Sequence, residues 1–299
     1  MLKWAACQTV GGRGTLVMRF LTFLASRFVA GDNAQQAVEA VRKLNQDSLL
    51  ASLDFLGENV SSRDEAIRAT EEYVGLLKLI AQAELDCNVS VKLSQLGLGL
   101  DEHLGRDNLD RLLSEAARLD NFVRLDMEGS EWTQRTLDVF HSFFPSKYRC
   151  VGVVIQAMLK RSERDIQELV RAGARVRLCK GAYKEPPELA YQSREEVNAS
   201  YDHLAKLLLK APRPAFATHD DDRIVNAVQA ARAAGLAPGD YEIQMLYGLR
   251  ARRRLELARQ GHAMRVYVPY GSHWFPYFYR RLRERKENIA FVLRNSLSQ

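Results

Sequence analysis

Near the C-terminus, Tyr277, Arg280, Arg281 and Glu284 stand at helical spacing, three and four residues apart, so that one face carries an aromatic ring, an arginine pair and a carboxylate. Paired guanidinium groups grip a carboxylate or phosphate through parallel hydrogen bonds. Arg283, Arg285 and Lys286 follow at once, and a solvated basic face is the competing reading of the same run. Pro276 suits a first helical turn, and Phe275, Phe278 and Leu282 give the helix a buried stripe.

Further chemistry-bearing residues recur at the ends of short apolar runs. Eight such runs follow a helical start: Leu50–Phe55, Val89–Leu93, Phe122–Met127, Val151–Gln156, Ala174–Cys179, Ala215–Thr218, Tyr241–Leu246 and Met264–Val268. The last is expected to stop at Pro269 and Gly271. Amphipathic stretches separate them, with helices expected over Arg63 to Gln82, Leu109 to Leu119 and Arg223 to Ala234. Strands alternating with helices imply parallel βαβ units. Eight strands in this length fit a distorted (βα)8 barrel, α/β in class, better than the runner-up, a doubly wound sheet with a helical N-terminal domain. No Gly-rich dinucleotide fingerprint follows any strand. Residues 1–49 are expected to form a helical arm, including a helix from Asn33 to Asn45, and residues 50–299 the barrel with its C-terminal helix.

Barrel enzymes work at the C-terminal ends of their strands. There the chain places Asp54 and Glu58, then Lys92, Asp126 with Met127, Gln156, Arg177 with Lys180, Gly181, Ala182 and Tyr183, Thr218 with His219, Leu246, and Tyr267. Lys92 and Asp126 have a second reading, a buried ion pair inside the barrel. Lys180 also has two: a Schiff-base nucleophile, or a cation beside a glycine that lets backbone approach a bound group. Taken together, Lys92, Arg177, Lys180, Arg280 and Arg281 imply an anionic substrate, a polyphosphate cofactor, or both.

Bulk properties exclude several classes. The 299 residues carry a net charge of +6, but 37 acidic side chains are interspersed with 43 basic ones, without the basic tails of a non-specific nucleic-acid binder. An RNA-binding use of the C-terminal helix lacks interleaved aromatics on a sheet. Four widely separated cysteines and six unclustered histidines argue for reduced core thiols and against a metal site. The most apolar N-terminal stretch is broken by Arg19 and Arg27, whereas a membrane span needs about 20 predominantly apolar residues and a secretory signal an unbroken apolar core. Leu16, Phe20, Phe23 and Phe28 share a helical face suited to packing on the main domain, with a membrane surface as the alternative.

Four motifs in this order, Val176-Arg177-Leu178-Cys179-Lys180-Gly181-Ala182-Tyr183, Phe216-Ala217-Thr218-His219, Glu242-Ile243-Gln244-Met245-Leu246-Tyr247-Gly248, and Tyr267 followed by Tyr277, Arg280, Arg281 and Glu284, resemble proline dehydrogenase. The likeness runs from about Leu50 to the C-terminus and is to the monofunctional bacterial type. It implies a distorted barrel that holds FAD and oxidises L-proline to 1-pyrroline-5-carboxylate, with electrons passed to a quinone by a cytoplasmic enzyme, peripheral on the inner membrane. By the same resemblance Lys92, Arg280 and Arg281 bind the substrate carboxylate. Tyr183, Leu246, Tyr267 and Tyr277 pack about its ring, and Asp126 organises the basic cluster. Arg177 sits near the reacting flavin nitrogen, and Met127, Gln156, Lys180, Gly181, Ala182, Thr218 and His219 contact the cofactor. Glu58 is read either as a lid that closes over the site paired with Arg280 or as a surface carboxylate on its loop. The aromatic run from Tyr270 to Trp274 is expected to shape the entrance. The alternative chemistry is a barrel lyase or aldolase built on Lys180.

Overall fold

A computed structural model describes residues 27–57 and 59–274; Glu58, Tyr277, Arg280, Arg281 and Glu284 lie outside the described residues, as does most of the expected N-terminal face. Helix α1, Ala34–Gln46, precedes strand β1, Leu50–Phe55. The order then runs α2 Arg63–Gln82, β2 Cys87–Val91, α3 Glu102–Arg118, β3 Val123–Leu125, α4 Ser130–Phe143, β4 Val151–Gln156, α5 Ser162–Arg171, β5 Val176–Cys179, α6 Arg194–Leu208, β6 Ala215–Ala217, α7 Asp221–Ala233, β7 Glu242–Leu246, α8 Ala251–Arg259 and β8 Ala263–Tyr270. The eight strands form a closed parallel barrel in sequence order, sealed where Leu50 to Phe55 pair with Arg265 to Tyr270. This is the (βα)8 architecture expected from the alternating pattern.

Local chemistry explains the helix boundaries. Asn33 caps α1 by accepting from the Gln36 amide, Ser62 caps α2 through the Glu65 amide, and Ser193 with Glu196 forms a capping box on α6. Helix α3 begins seven residues before the expected Leu109. Asp101 accepts from the His103 and Leu104 amides and starts it there. Gly105 obscures that first turn, and the fold requires it, because a β-carbon would strike the Leu98 backbone.

Several strand limits also shift. β2 starts at Cys87 and ends at Val91, so Lys92 stands on the loop after the strand rather than within it. β3 shrinks to Val123–Leu125, and β5 begins at Val176. β8 continues through Pro269 to Tyr270 instead of stopping at the proline. Proline costs a strand only its N–H donor. The carbonyls of Pro269 and Tyr270 remain paired, accepting from the Ala30 and Leu56 amides.

One hydrophobic cluster unites the outward faces of the strands with the inner stripes of the helices. Ala37, Val41 and Leu44 of α1 belong to it, so this helix packs as part of the barrel wall. A buried Leu or Val side chain contributes about 1.5–3 kcal/mol. Among the described residues no helix is long and apolar enough to cross a membrane, and no three His, Cys, Asp or Glu side chains group to hold a metal ion.

Candidate active site

The barrel interior is polar along one column, because alternate residues of a strand share a face. Arg265 of β8 grips Glu242 of β7 with two bonds, at 2.8 and 2.9 Å. Gln244, two residues on in β7, donates to Glu242 at 2.7 Å and accepts from Arg177 Nε of β5 at 2.6 Å. Arg177 then reaches Asp126 at 2.8 Å and Ser90 at 3.2 Å. Tyr267, two residues beyond Arg265, donates its hydroxyl to the other oxygen of Asp126 at 2.7 Å. The column thus climbs from the strand starts to the strand ends, where the Arg177 guanidinium also lies over the Tyr267 ring, 5.3 Å from its centre.

Charge balance holds this arrangement in one protonation state. Burial would raise Glu242, but the charge and hydrogen bonds of Arg265 outweigh it and hold the carboxyl well below the usual range. Burial, reinforced by the negative charge of Asp126, raises the Tyr267 phenol, so it stays a donor. The Arg177 guanidinium, only 5% exposed, is fixed in direction by three side chains.

Lys92 lies beside this column but pairs with Asp54, at 3.2 and 3.3 Å, while Asp126 takes Arg177. The alternative reading of Lys92 and Asp126 as one ion pair gives way to two neighbouring pairs. Lys92 leaves β2 next to the end of β1, whereas Asp126 faces across the barrel. Burial and the nearby charge of Asp126 raise Asp54, against the opposing pull of Lys92.

A second group of candidates gathers on the β5–β6 side of the mouth. Lys180 is held by Asn198 at 2.6 Å and Asp220 at 2.7 Å. Burial alone would raise Asp220; the bond and charge of Lys180 win and lower it. The Asn198 and Asp220 oxygens hold the Lys180 side chain in place, which suits a positioned cation. Gly181 has φ +105, and a β-carbon there would overlap the Met158 thioether, so only glycine permits this turn. Thr218 accepts from the Asp220 amide at 3.1 Å, and His219 Nε2 accepts from the Leu246 amide at 3.0 Å. Gln156 donates to the Glu128 carbonyl at 2.9 Å, and Met127 is buried in the core.

The remaining candidates divide. Leu246 sits opposite Tyr267 in the β7–β8 register, beside the column's upper end. Tyr183, half-buried, packs with Met158, Leu159 and Ala190 on the loop side of β4 and β5. Tyr270 is buried against Phe55 and donates to Glu72, so it belongs to the wall rather than the entrance. Asp54, Ser90, Gln244 and Glu242 hold the site's charged groups; sequence reasoning noted Asp54 at a strand end and Glu242 and Gln244 within a motif but gave them no partner, and it passed over Ser90. Their signal was present: each is a polar side chain at an inward position of a strand otherwise built from apolar residues.

A closed parallel barrel with ionised side chains converging at its strand ends is the frame of a barrel enzyme. The chain belongs to the proline dehydrogenase family, whose model matches residues 37–294. It is 40% identical over 276 residues to proline dehydrogenase 1 of Bacillus subtilis strain 168, covering 92% of this chain and 91% of that one. With proline dehydrogenase of Deinococcus radiodurans it shares 36% over 281 residues, covering 92% and 90%. Among solved structures, proline utilization A of Bdellovibrio bacteriovorus inactivated by N-propargylglycine superposes with a TM-score of 0.84 at 27% identity, over 90% of this chain and 33% of that longer one.

Proposed function

We propose that this enzyme oxidises L-proline to 1-pyrroline-5-carboxylate, with FAD as its resident cofactor and a quinone as electron acceptor. The observation that carries the reading is the rigid Arg177, clamped between Asp126 and Gln244 beneath Tyr267 in a chain of this family.

The donor set fits a flavin dinucleotide. Lys180 and the positive-φ turn at Gly181 and Ala182 offer a cation and accessible backbone, while Thr218 and His219 offer further polar contacts from the next strand end. In this proposal Gln156, Met127 and Arg177, all buried, contact the flavin from the inner side. FAD, when bound, supplies the two-electron acceptor for hydride.

The protein's share is orientation and charge. Lys92, with Arg280 and Arg281 from the C-terminal segment, binds the proline carboxylate in this proposal. Tyr267, Leu246, Tyr277 and Tyr183 shape the pocket for its ring. Asp126 is a positioning residue: both of its oxygens already accept hydrogen bonds, which makes it an anchor for Arg177 and Tyr267 rather than a base. Glu58 serves as the lid residue, and its closure excludes water from the reaction. Passing electrons to a quinone would put the enzyme at the cytoplasmic surface of a membrane as a peripheral protein.

Anaerobic addition of L-proline to the flavin-loaded protein should bleach its visible flavin band, with 4-hydroxyproline as comparison, and an added soluble quinone should restore it. A colourless protein, or a band that proline leaves unchanged, overturns the reading. Arg281→Met should raise KM for proline steeply with flavin retained, and Glu58→Ala should raise KM and flavin exposure.

A further inference from the structure

At the opposite end of the barrel, where the strands begin, lies a cavity of about 700 Å³. Its lining comes from the starts of β1 to β6 and from β8, and it includes Arg149, Arg175, Arg213, Arg265, Lys147 and Asn88. Two carboxylates, Asp86 and Asp120, share the lining. Nothing in the proline reaction uses this face.

The basic groups differ in how far they are satisfied. Lys147 pairs with Asp110 at 2.6 Å, and Arg265 with Glu242. Arg149, Arg175 and Arg213 have no ion pair among the described residues. The Arg175 guanidinium carbon lies over the Phe122 ring, 4.0 Å from its centre, and its buried Nε lacks a hydrogen-bond partner. Burial destabilises its charge, Glu242 offsets part of that cost, and Arg213 and Arg265 add to it. Deeper still, Arg124 is 1% exposed and rests on the carbonyls of Val153 and Arg175, with its own Nε unsatisfied.

Asn88 supplies a second observation. Its side chain lines the cavity, is only 6% exposed, and leaves its Oδ1 unpartnered. Buried amides without partners are uncommon and point to a ligand or water that completes them. An amide oxygen accepts, so Oδ1 is suited to a hydroxyl group of the occupant or a bound water and not to its negative charge.

We propose that this cavity is a second anion site, taking a small multivalent oxyanion, an organic phosphate or a di- or tricarboxylate, on Arg175, Arg213 and Arg149, with Asn88 Oδ1 accepting from a hydroxyl of the occupant or a bound water. The volume matches pockets for small organic molecules rather than a single water. The cavity's thiols do not compete for the role, since burial pushes Cys87 up to about 12 and raises Cys150 as well. Arg265 lines the cavity and also anchors Glu242, so the site shares one guanidinium with the column that ends at Arg177.

Calorimetric titration of the flavin-loaded enzyme with citrate, and separately with inorganic phosphate, tests this against sodium chloride of equal ionic strength. Saturable binding is expected for at least one probe, weakened about tenfold or more by Arg175→Gln, because a charge-assisted bond is lost. Arg213→Gln, at an exposed position that leaves the core intact, should weaken it in the same direction. Preference between citrate and phosphate separates the carboxylate from the phosphate source. No heat beyond the chloride control, or binding that both variants leave unchanged, would sink the proposal.

Discussion

Tyr267 and Asp126 are 141 positions apart in the chain and 2.7 Å apart in the barrel, where the phenol of one strand caps the carboxylate that steadies Arg177. Tyr267→Phe removes that donor and leaves one carboxylate oxygen short of a partner. The expected loss is about 1–3 kcal/mol. In a domain of this size that lowers Tm by about 2–4 °C per kcal/mol. Thermal unfolding of the flavin-loaded protein measures it; an unchanged Tm would show that water replaces the phenol without cost.

Glu242 links stability to acid. Its carboxyl is held below the ordinary glutamate value of 4.5 in the folded chain, so both states are ionised at neutral pH and the unfolded chain takes up its proton first on acidification. Its contribution is therefore complete above 4.5 and declines as pH falls towards the folded value. Urea unfolding between pH 7 and 3 should show a shallower acid loss in Glu242→Gln. That variant should also start about 3–5 kcal/mol less stable at neutral pH, because Arg265 is left buried beside a neutral amide.

The Lys92–Asp54 pair behaves in the opposite sense. Asp54 is raised above 3.8 even with Lys92 present. Removing the ammonium in Lys92→Met raises it further, and a carboxyl raised by folding contributes stability below its unfolded value that is lost as pH climbs through the folded one. The variant should be more destabilised at pH 8 than at pH 5, and adding Asp54→Asn should flatten that slope. A slope that survives the second substitution would assign it to another group.

Lys180 distinguishes the dehydrogenase from the lyase. Lys180→Met breaks the bonds to Asp220 and Asn198 and should lower flavin content per protein, read from the ratio of visible to ultraviolet absorbance. Borohydride with carbonyl substrates should trap no adduct on the unaltered enzyme. Trapping at Lys180 would reverse the assignment.

Alternating apolar runs and amphipathic segments were enough to predict the parallel barrel, because side-chain period and element length are local properties. α2 is a case in point, expected and found from Arg63 to Gln82. The strand-end motifs were legible for a related reason, since a polar residue that interrupts an apolar run is conspicuous by itself. Partnership was not. A Lys92–Asp126 pair was one of two readings open to the sequence, yet the register sends Lys92 to Asp54 and brings Arg177 across the barrel to Asp126, 51 positions away. Gln244 and Glu242 carry no motif that assigns them to Arg177; only closure of the barrel sets them between Arg177 and Arg265. Periodicity fixes which way a side chain faces, while register, twist and closure choose what it meets, and those depend on contacts far apart in the chain. The residue types and the barrel that carries them were thus determined by sequence alone. The tertiary structure decided which charges neutralise one another, and so which cations at the base have no counter-ion among the described residues.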